Sequence, residues 1–247
     1  MIAGLLEFQR EDCLEAAVRA GKWMIAKQDD DGCWWRSVHN DIPHTYNTRA
    51  AWALLRIGLI ANETTFIKAA KKNIRWALTQ QTESGWFRTN AFRANEQPFT
   101  HNIAYAIRGI LESGLLLNDE EMIQSAIRAA KAQADHQRFD GWLAGKYDDN
   151  WIPKAKYCCL TGVAQMCIIW LRLSQTCGLK ELMHNADIGI QYIKSTHRIS
   201  GKKDHLDGAI AGSVPIWGRY SMFEYPNWAA KFFADALMVK TTTNIIP

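Results

Sequence analysis

Hydrophobic positions recur along this chain with the 3.6-residue period of a helix, and no stretch alternates with the period of two that marks a strand. Two kinds of helical segment take turns. The first kind is amphipathic. Around Lys68, Lys71, Lys72 and Arg75, or Arg128 and Lys131, charged positions line one face and alanines the other. The second kind is apolar on nearly every side, as in AAWALL, IAYAI, GVAQMCIIWL and WAAKFFADAL, which predicts burial all round. These buried segments are expected over residues 47–56, 102–112, 161–174 and 227–240. Amphipathic helices therefore belong outside and apolar helices inside.

The outer segments share an ending. AAVRAGKWMIAKQDDDGCW (16–34), AAKKNIRWALTQQTESGW (69–86) and AAKAQADHQRFDGW (129–142) each carry small residues, a late glutamine and a Gly-aromatic turn. A weaker copy runs from Ala186 through Tyr192 to Gly208. Gly32, Gly85, Gly141 and Gly208 follow one another at steps of 53, 56 and 67 residues, and a glycine supplies the positive φ that stops a helix. Gly58, Gly114 and Gly178 are expected to end three inner helices. Outer helix, Gly-Trp turn, polar loop and inner helix thus recur four times over a single domain, 1–247. Stacked helix pairs curve and bring the inner helices to a common axis. The expectation is an all-α fold, an α/α barrel or toroid of about four helix-pair repeats with a central polar, aromatic-lined mouth. An open solenoid of hairpins is the alternative, but its loops would be short, and these run to about 15 residues.

Composition narrows the class further. The chain has 247 residues, enough for a large core, and is 48% hydrophobic and 22% charged, as globular proteins are. No apolar run reaches the roughly 18 residues of a membrane span, and the first residues lack a signal-peptide pattern, so a cytoplasmic location is expected. A formal charge of +4 favours anionic ligands mildly and falls short of a nucleic-acid stripe. The six cysteines form no C-x-x-C pair and read as reduced thiols. Nothing resembles a zinc ligand set, a phosphate loop, a dinucleotide fingerprint or G-x-S-x-G, so no metal and no cofactor is expected.

Candidate chemistry gathers at the inner-helix starts, which a toroid brings to one mouth. They read His44-Thr45-Tyr46-Asn47-Thr48-Arg49, Phe99-Thr100-His101-Asn102-Ile103-Ala104-Tyr105, Tyr157-Cys158-Cys159-Leu160-Thr161 and Glu224-Tyr225-Pro226-Asn227-Trp228. Asn47, Asn102, Thr161 and Asn227 align, and simple N-capping would account for them. Capping does not account for the His and Tyr residues beside them, or for Arg49, Gln165 and Lys231 on apolar helices. A polar cavity that takes an acidic or hydroxyl-rich saccharide would. His44, Tyr46, Asn47, Tyr157, Gln165, Tyr225, Asn227 and Lys231 are then substrate-binding candidates, with Trp151, Trp217 and Tyr220 from the loops. Asp148, Asp149 and Glu224 are candidate acids for a glycoside hydrolase.

Gln28–Trp34, Gln80–Trp86 and Gln137–Trp142 resemble the repeat of the α/α-toroid superfamily of terpenoid cyclases and protein prenyltransferases. The layout is equally similar to α/α-barrel polysaccharide lyases, epimerases and unsaturated-uronyl hydrolases. The stretch from Gly212 to Phe233 resembles toroid proteins of bacterial polysaccharide gene clusters. Resemblance to the lyases implies catalytic roles for His101, Tyr105, Asn102 and Arg49. Asn102 and His101 would hold a uronate carboxylate, a Tyr or His would remove the C5 proton, and Arg49 would steady the charge. Cyclisation would require a D-x-D-D motif on an inner segment, whereas Asp29 to Asp31 end an outer helix. A glycan- or protein-binding scaffold without catalysis is the non-enzymatic alternative.

Overall fold

The computed structural model describes residues 2–199, 201 and 205–242. Among them are nine α-helices and one short strand pair. The chain divides into two compact units. The first comprises Met1–Glu83, Phe87–Glu96 and Tyr105–Ala126; the second comprises Ser84–Trp86, Gln97–Ala104 and Ile127–Pro247.

The first unit begins with α1 (Ile2–Glu7) and α2 (Glu11–Ala26), followed by α3 (Thr48–Ile60) and α4 (Thr64–Thr79). It also holds most of α5 (Thr100–Leu117) and the first turns of α6 (Glu120–Asp135). On α4 the buried residues are Phe66, Ala69, Ala70, Asn73, Ile74 and Ala77, a spacing that leaves the lysine face in water. The inner helix α3 runs into the outer helix α4 through a short loop, and α5 runs into α6 in the same way. Asn62 and Asn118, at φ 54° and 50°, take the left-handed position after these inner helices. Glu63 and Asp119 then donate back to the carbonyls of Gly58 and Gly114. The expectation that Gly58 and Gly114 end their helices is therefore corrected. They lie inside the last turns, where a Cβ would meet Ile67 Cγ1 at 2.7 Å and Ile123 Cγ1 at 3.0 Å, so their role is close helix approach. Gly178 alone sits at the expected position, as the left-handed cap of α7.

The second unit contains the start of α5, the rest of α6, α7 (Leu160–Cys177), α8 (Glu181–Thr196) and α9 (Asn227–Thr241). Strand β1 (Cys158–Cys159) pairs antiparallel with β2 (Ser213–Val214) just before α7. Every residue of α7 from Leu160 to Ser174 is buried, as a helix apolar on all sides requires. The helix packs on both α8 and α9. The fourth apolar segment departs from expectation. On α9, Trp228, Lys231 and Met238 are exposed, and only Ala229, Phe232, Phe233 and Ala236 are buried. Lys231 lies outside, paired with Asp235, and is not a buried cation.

The Gly-Trp turns are built alike. Gly32, Gly85 and Gly141 have φ of 89°, 84° and 88°. A Cβ on them would meet the backbone of Lys72 at 2.5 Å, of Ala129 at 3.0 Å and of Ile188 at 2.2 Å, so each turn lies against the next outer helix. The glutamine four residues earlier fastens that contact. Gln28 donates to Gly32 O and Ala69 O, and Gln137 to Gly141 O and Asn185 O. Gln81 donates to Ser125 O, which identifies it, and not Gln80, as the repeated residue. In the weaker fourth copy His197 Nε2 contacts Gly208 O at 2.7 Å, after a longer loop.

Candidate functional site

The first three inner-helix starts are each tied to the loop of the following repeat. Thr45 N donates to Thr89 O, Thr100 N to Gly145 O and Leu160 N to Gly212 O. The threonine hydroxyls add Thr45 Oγ1 to Arg88 O and Thr100 Oγ1 to Ala144 O. These bonds fix a register in which Tyr46, His101 and Thr161 are equivalent, with Asn47, Asn102 and Gly162 next to them. The alignment of Thr161 with the asparagines was one residue out. Capping is not shared either. Asn47 and the residue before Asn227 make no side-chain cap bond. Asn102 Oδ1 accepts from Phe99 N, and at α7 the cap is Cys159 Sγ, which accepts from Gly162 N.

In the second unit a polar cluster forms where α5 and α7 begin. A Cβ on Gly162 would lie 2.8 Å from His101 N, so the two helix starts are in backbone contact. Gln165 donates its amide to His101 Nδ1 at 2.7 Å. In the neutral imidazole this leaves the proton on Nε2, so the ring offers a donor. The His101 ring lies 5.5 Å from that of Tyr220, whose hydroxyl accepts from Trp228 Nε1. Phe99 packs edge-on to Tyr220 on one side and carries Lys146 Nζ over its face at 4.3 Å. Asn102 Nδ2 and Thr161 Oγ1 are buried without a hydrogen-bond partner. Buried polar atoms in that condition are costly unless a ligand or water completes them. Tyr157 is half-buried, its ring held against Gly145 and Gly218.

In the first unit, His44 is 1% exposed, stacks on Tyr46 at 4.3 Å and contacts His39 O through Nε2. Burial lowers the pKa of His44, against its hydrogen bonding to the His39 and Ala91 backbone. Burial also pushes the Tyr46 phenol well above its ordinary range. Asn47 is half-buried beside them. Arg49 Cζ lies 4.8 Å from the Trp52 ring and 5.2 Å from that of Tyr105, and Arg108 approaches Trp52 at 5.6 Å. Arg108 Nε meets Glu112 Oε1 at 2.6 Å, with the glutamate side chain 7% exposed. Burial raises the Tyr105 pKa, with Arg49 opposing. Arg108 and Glu112 escaped the sequence reading, although spacings of four, three and four from His101 through Tyr105 put all of them on one face of α5.

The loop candidates divide. Trp151 is 4% exposed, with its indole N–H bound to Ser84 O and its ring edge-on to Trp86, so it is packing and no open stacking platform. Asp148 accepts from Asn150 N and Ile152 N and pairs with Lys154, which holds it in a turn. Asp149, Trp217, Glu224, Tyr225 and Asn227 are exposed, and Tyr220 is buried. Among the described residues no three His, Cys, Asp or Glu side chains converge to hold a metal ion. No helix among them is long and apolar enough to cross a membrane.

No protein-family model matches the sequence, and no curated protein does. Solved structures do match over nearly its whole length. The unsaturated glucuronyl hydrolase of Bacillus sp. GL1, responsible for the degradation of glycosaminoglycan, superposes with a TM-score of 0.74 at 13% identity, over 97% of this chain and 71% of that one. This chain folds as an α/α barrel. A glycosyl hydrolase of family 88 from Bacteroides vulgatus matches with a TM-score of 0.71 at 14% identity, over 97% and 72% of the two chains. A polysaccharide lyase matches with a TM-score of 0.67 at 12% identity, over 100% and 73%. Identities this low carry architecture, and the reaction has to be argued from side chains. The likeness to terpenoid cyclases rests on the repeat alone.

Proposed function

We propose that this protein acts on an acidic oligosaccharide at the start of α5, and that the reaction is hydrolysis of a uronyl group. The observation that carries the reading is the cluster of His101, Asn102, Thr161 and Gln165, buried hydrogen-bonding groups among which Asn102 Nδ2 and Thr161 Oγ1 lack a partner. Such groups suit a sugar hydroxyl or a carboxylate, and Lys146 beside Phe99 adds positive charge. Two structures similar to this one are glucuronyl or family 88 hydrolases, which supports the substrate class.

Proton abstraction at C5 fits less well. A tyrosine base works as its phenolate, and burial moves Tyr105 away from ionising. His101 offers Nε2–H and so serves as a donor. Hydrolysis calls for a carboxyl group, for which the exposed Asp149 and Glu224 are the candidates, because Asp148 is committed to its turn. One observation favours a binding protein without catalysis. The first three inner-helix starts carry no carboxylate, and the fourth carries only the exposed Glu224.

Two assays decide between these. Thermal-shift screening with uronic acid oligosaccharides should raise the melting temperature, and polyprenyl diphosphates should not. An unsaturated uronyl disaccharide should lose its ultraviolet absorbance as hydrolysis consumes the conjugated double bond. A lyase would instead create that absorbance from a saturated polyuronate. Stabilisation by sugars with neither optical change would leave the binding reading.

A further inference from the structure

The outer helix α4 carries a second feature that the cluster at α5 does not use. A groove of about 780 Å³ runs along it within the first unit. Lys68, Lys71, Lys72 and Arg75 line one side, at spacings that place them on one face over two turns. Trp76, half-buried, and Thr79 continue the same face. The opposite wall is the turn at Asp30 and Asp31. From Lys68 to Thr79 the helix rises roughly 16 Å, which suits an extended chain of a few sugar rings.

The wall is held in place. Lys72 Nζ donates to Asp30 O at 3.2 Å, and Gly32 closes the turn onto Lys72. Asp31 spends both oxygens on Cys33 N and Trp35 Nε1. Arg75 is bound by Asp119 and Glu121. Lys68 and Lys71 are exposed along the groove that Trp76 also lines, and Asp30 is exposed on its other wall. An indole face, cations for acid groups and a carboxylate for hydroxyls are together a saccharide-binding set.

We infer that this groove binds a linear acidic glycan, holding the polymer on the outer surface of α4. The class of ligand rests on the function proposed above; the site does not share its residues.

The test uses the whole chain. Retention of polygalacturonate is measured by affinity electrophoresis for wild type, a Lys68→Ala/Lys71→Ala/Lys72→Ala variant and Trp76→Ala, with dextran as the neutral control. Three exposed charge contacts at a few tenths to one kcal/mol each amount to about tenfold in affinity. The triple variant should lose about that much, lose most of the salt dependence, and melt close to wild type, because the Lys72 bond to Asp30 O is exposed and Gly32 still closes the turn. Trp76→Ala should weaken binding at unchanged charge. Optical turnover of the unsaturated disaccharide, if present, should stay the same in the triple variant. Retention can be lost without loss of turnover, and turnover can be absent while retention persists, so this site and the proposed function fail separately. Undiminished polygalacturonate binding by the triple variant would overturn the inference, as would equal retention on dextran or tighter binding of single-stranded DNA.

Discussion

Gly141→Ala tests whether the Gly-Trp turn is what joins one repeat to the next. The residue has φ 88°, and a side chain in that region costs about 1–2 kcal/mol. A Cβ would also lie 2.2 Å from Ile188 O and 2.6 Å from Ile188 C, atoms of helix backbone that cannot turn aside. Forcing a packed helix to move costs about 1–3 kcal/mol. The sum, about 2–5 kcal/mol, is a large part of the roughly 5–15 kcal/mol available to a domain. Gly178→Ala is the internal control. Its φ is 71°, but nothing lies within 4 Å of the added methyl, so only the conformational strain of about 1–2 kcal/mol applies. Urea unfolding followed by far-ultraviolet circular dichroism gives both values from the midpoints, provided the slopes agree. Equal losses in the two variants would refute the close-approach argument and reduce the turn to a helix cap.

Other consequences follow from the polar clusters. His101→Ala should lower turnover of an acidic saccharide by about 10²-fold with the fold retained, and Gln165→Ala, which releases the imidazole tautomer, should act in the same direction but less; Tyr105→Phe should match the His101 loss if the phenol takes part, and steady-state kinetics read all three. Glu112→Leu breaks a largely buried ion pair and should cost about 3 kcal/mol in urea unfolding, and adding Arg108→Met should recover much of that, against a simple sum if the pair is idle. His44 is held neutral by burial, so its folded pKa lies below the unfolded one. The unfolded chain then takes up a proton that the folded one refuses, and stability should be level above about pH 7 and fall as pH drops through about 6.5. His44→Phe should flatten that slope, and an unchanged slope would assign the pH dependence elsewhere.

The fold was legible because its repeat is written in residues with narrow conformational roles. Gly32, Gly85 and Gly141 mark the turns, and α7 announces its burial by having no polar face. What could not be read depends on contacts distant in sequence. The four-residue step to Gly85, which Gln28 and Gln137 keep to their own glycines, separates Gln81 from Gln80, but its reason is visible only in the bond to Ser125 in α6. Gly58 and Gly114 looked like helix ends because glycine serves both as cap and as close-packing residue, and the following asparagines take the left-handed position. The one-residue error at Thr161 has the same origin, since the register is set by Leu160 bonding to Gly212 in the next loop. Arg108 and Glu112 were hidden by a helix judged apolar as a whole, although their spacing from His101 was there to be found. Trp151 read as a ligand platform because exposure is not a property of sequence, and its loop folds it against Trp86.

The most direct test of the central claim is an optical one. Purified protein is mixed with an unsaturated uronyl disaccharide, and the absorbance of its conjugated double bond is followed for wild type and for His101→Ala. The account predicts a steady decline for wild type and a rate about 10²-fold lower for the variant. A rise in absorbance with a saturated polyuronate would contradict it in favour of elimination, and an equal decline in both proteins would remove the start of α5 from the reaction.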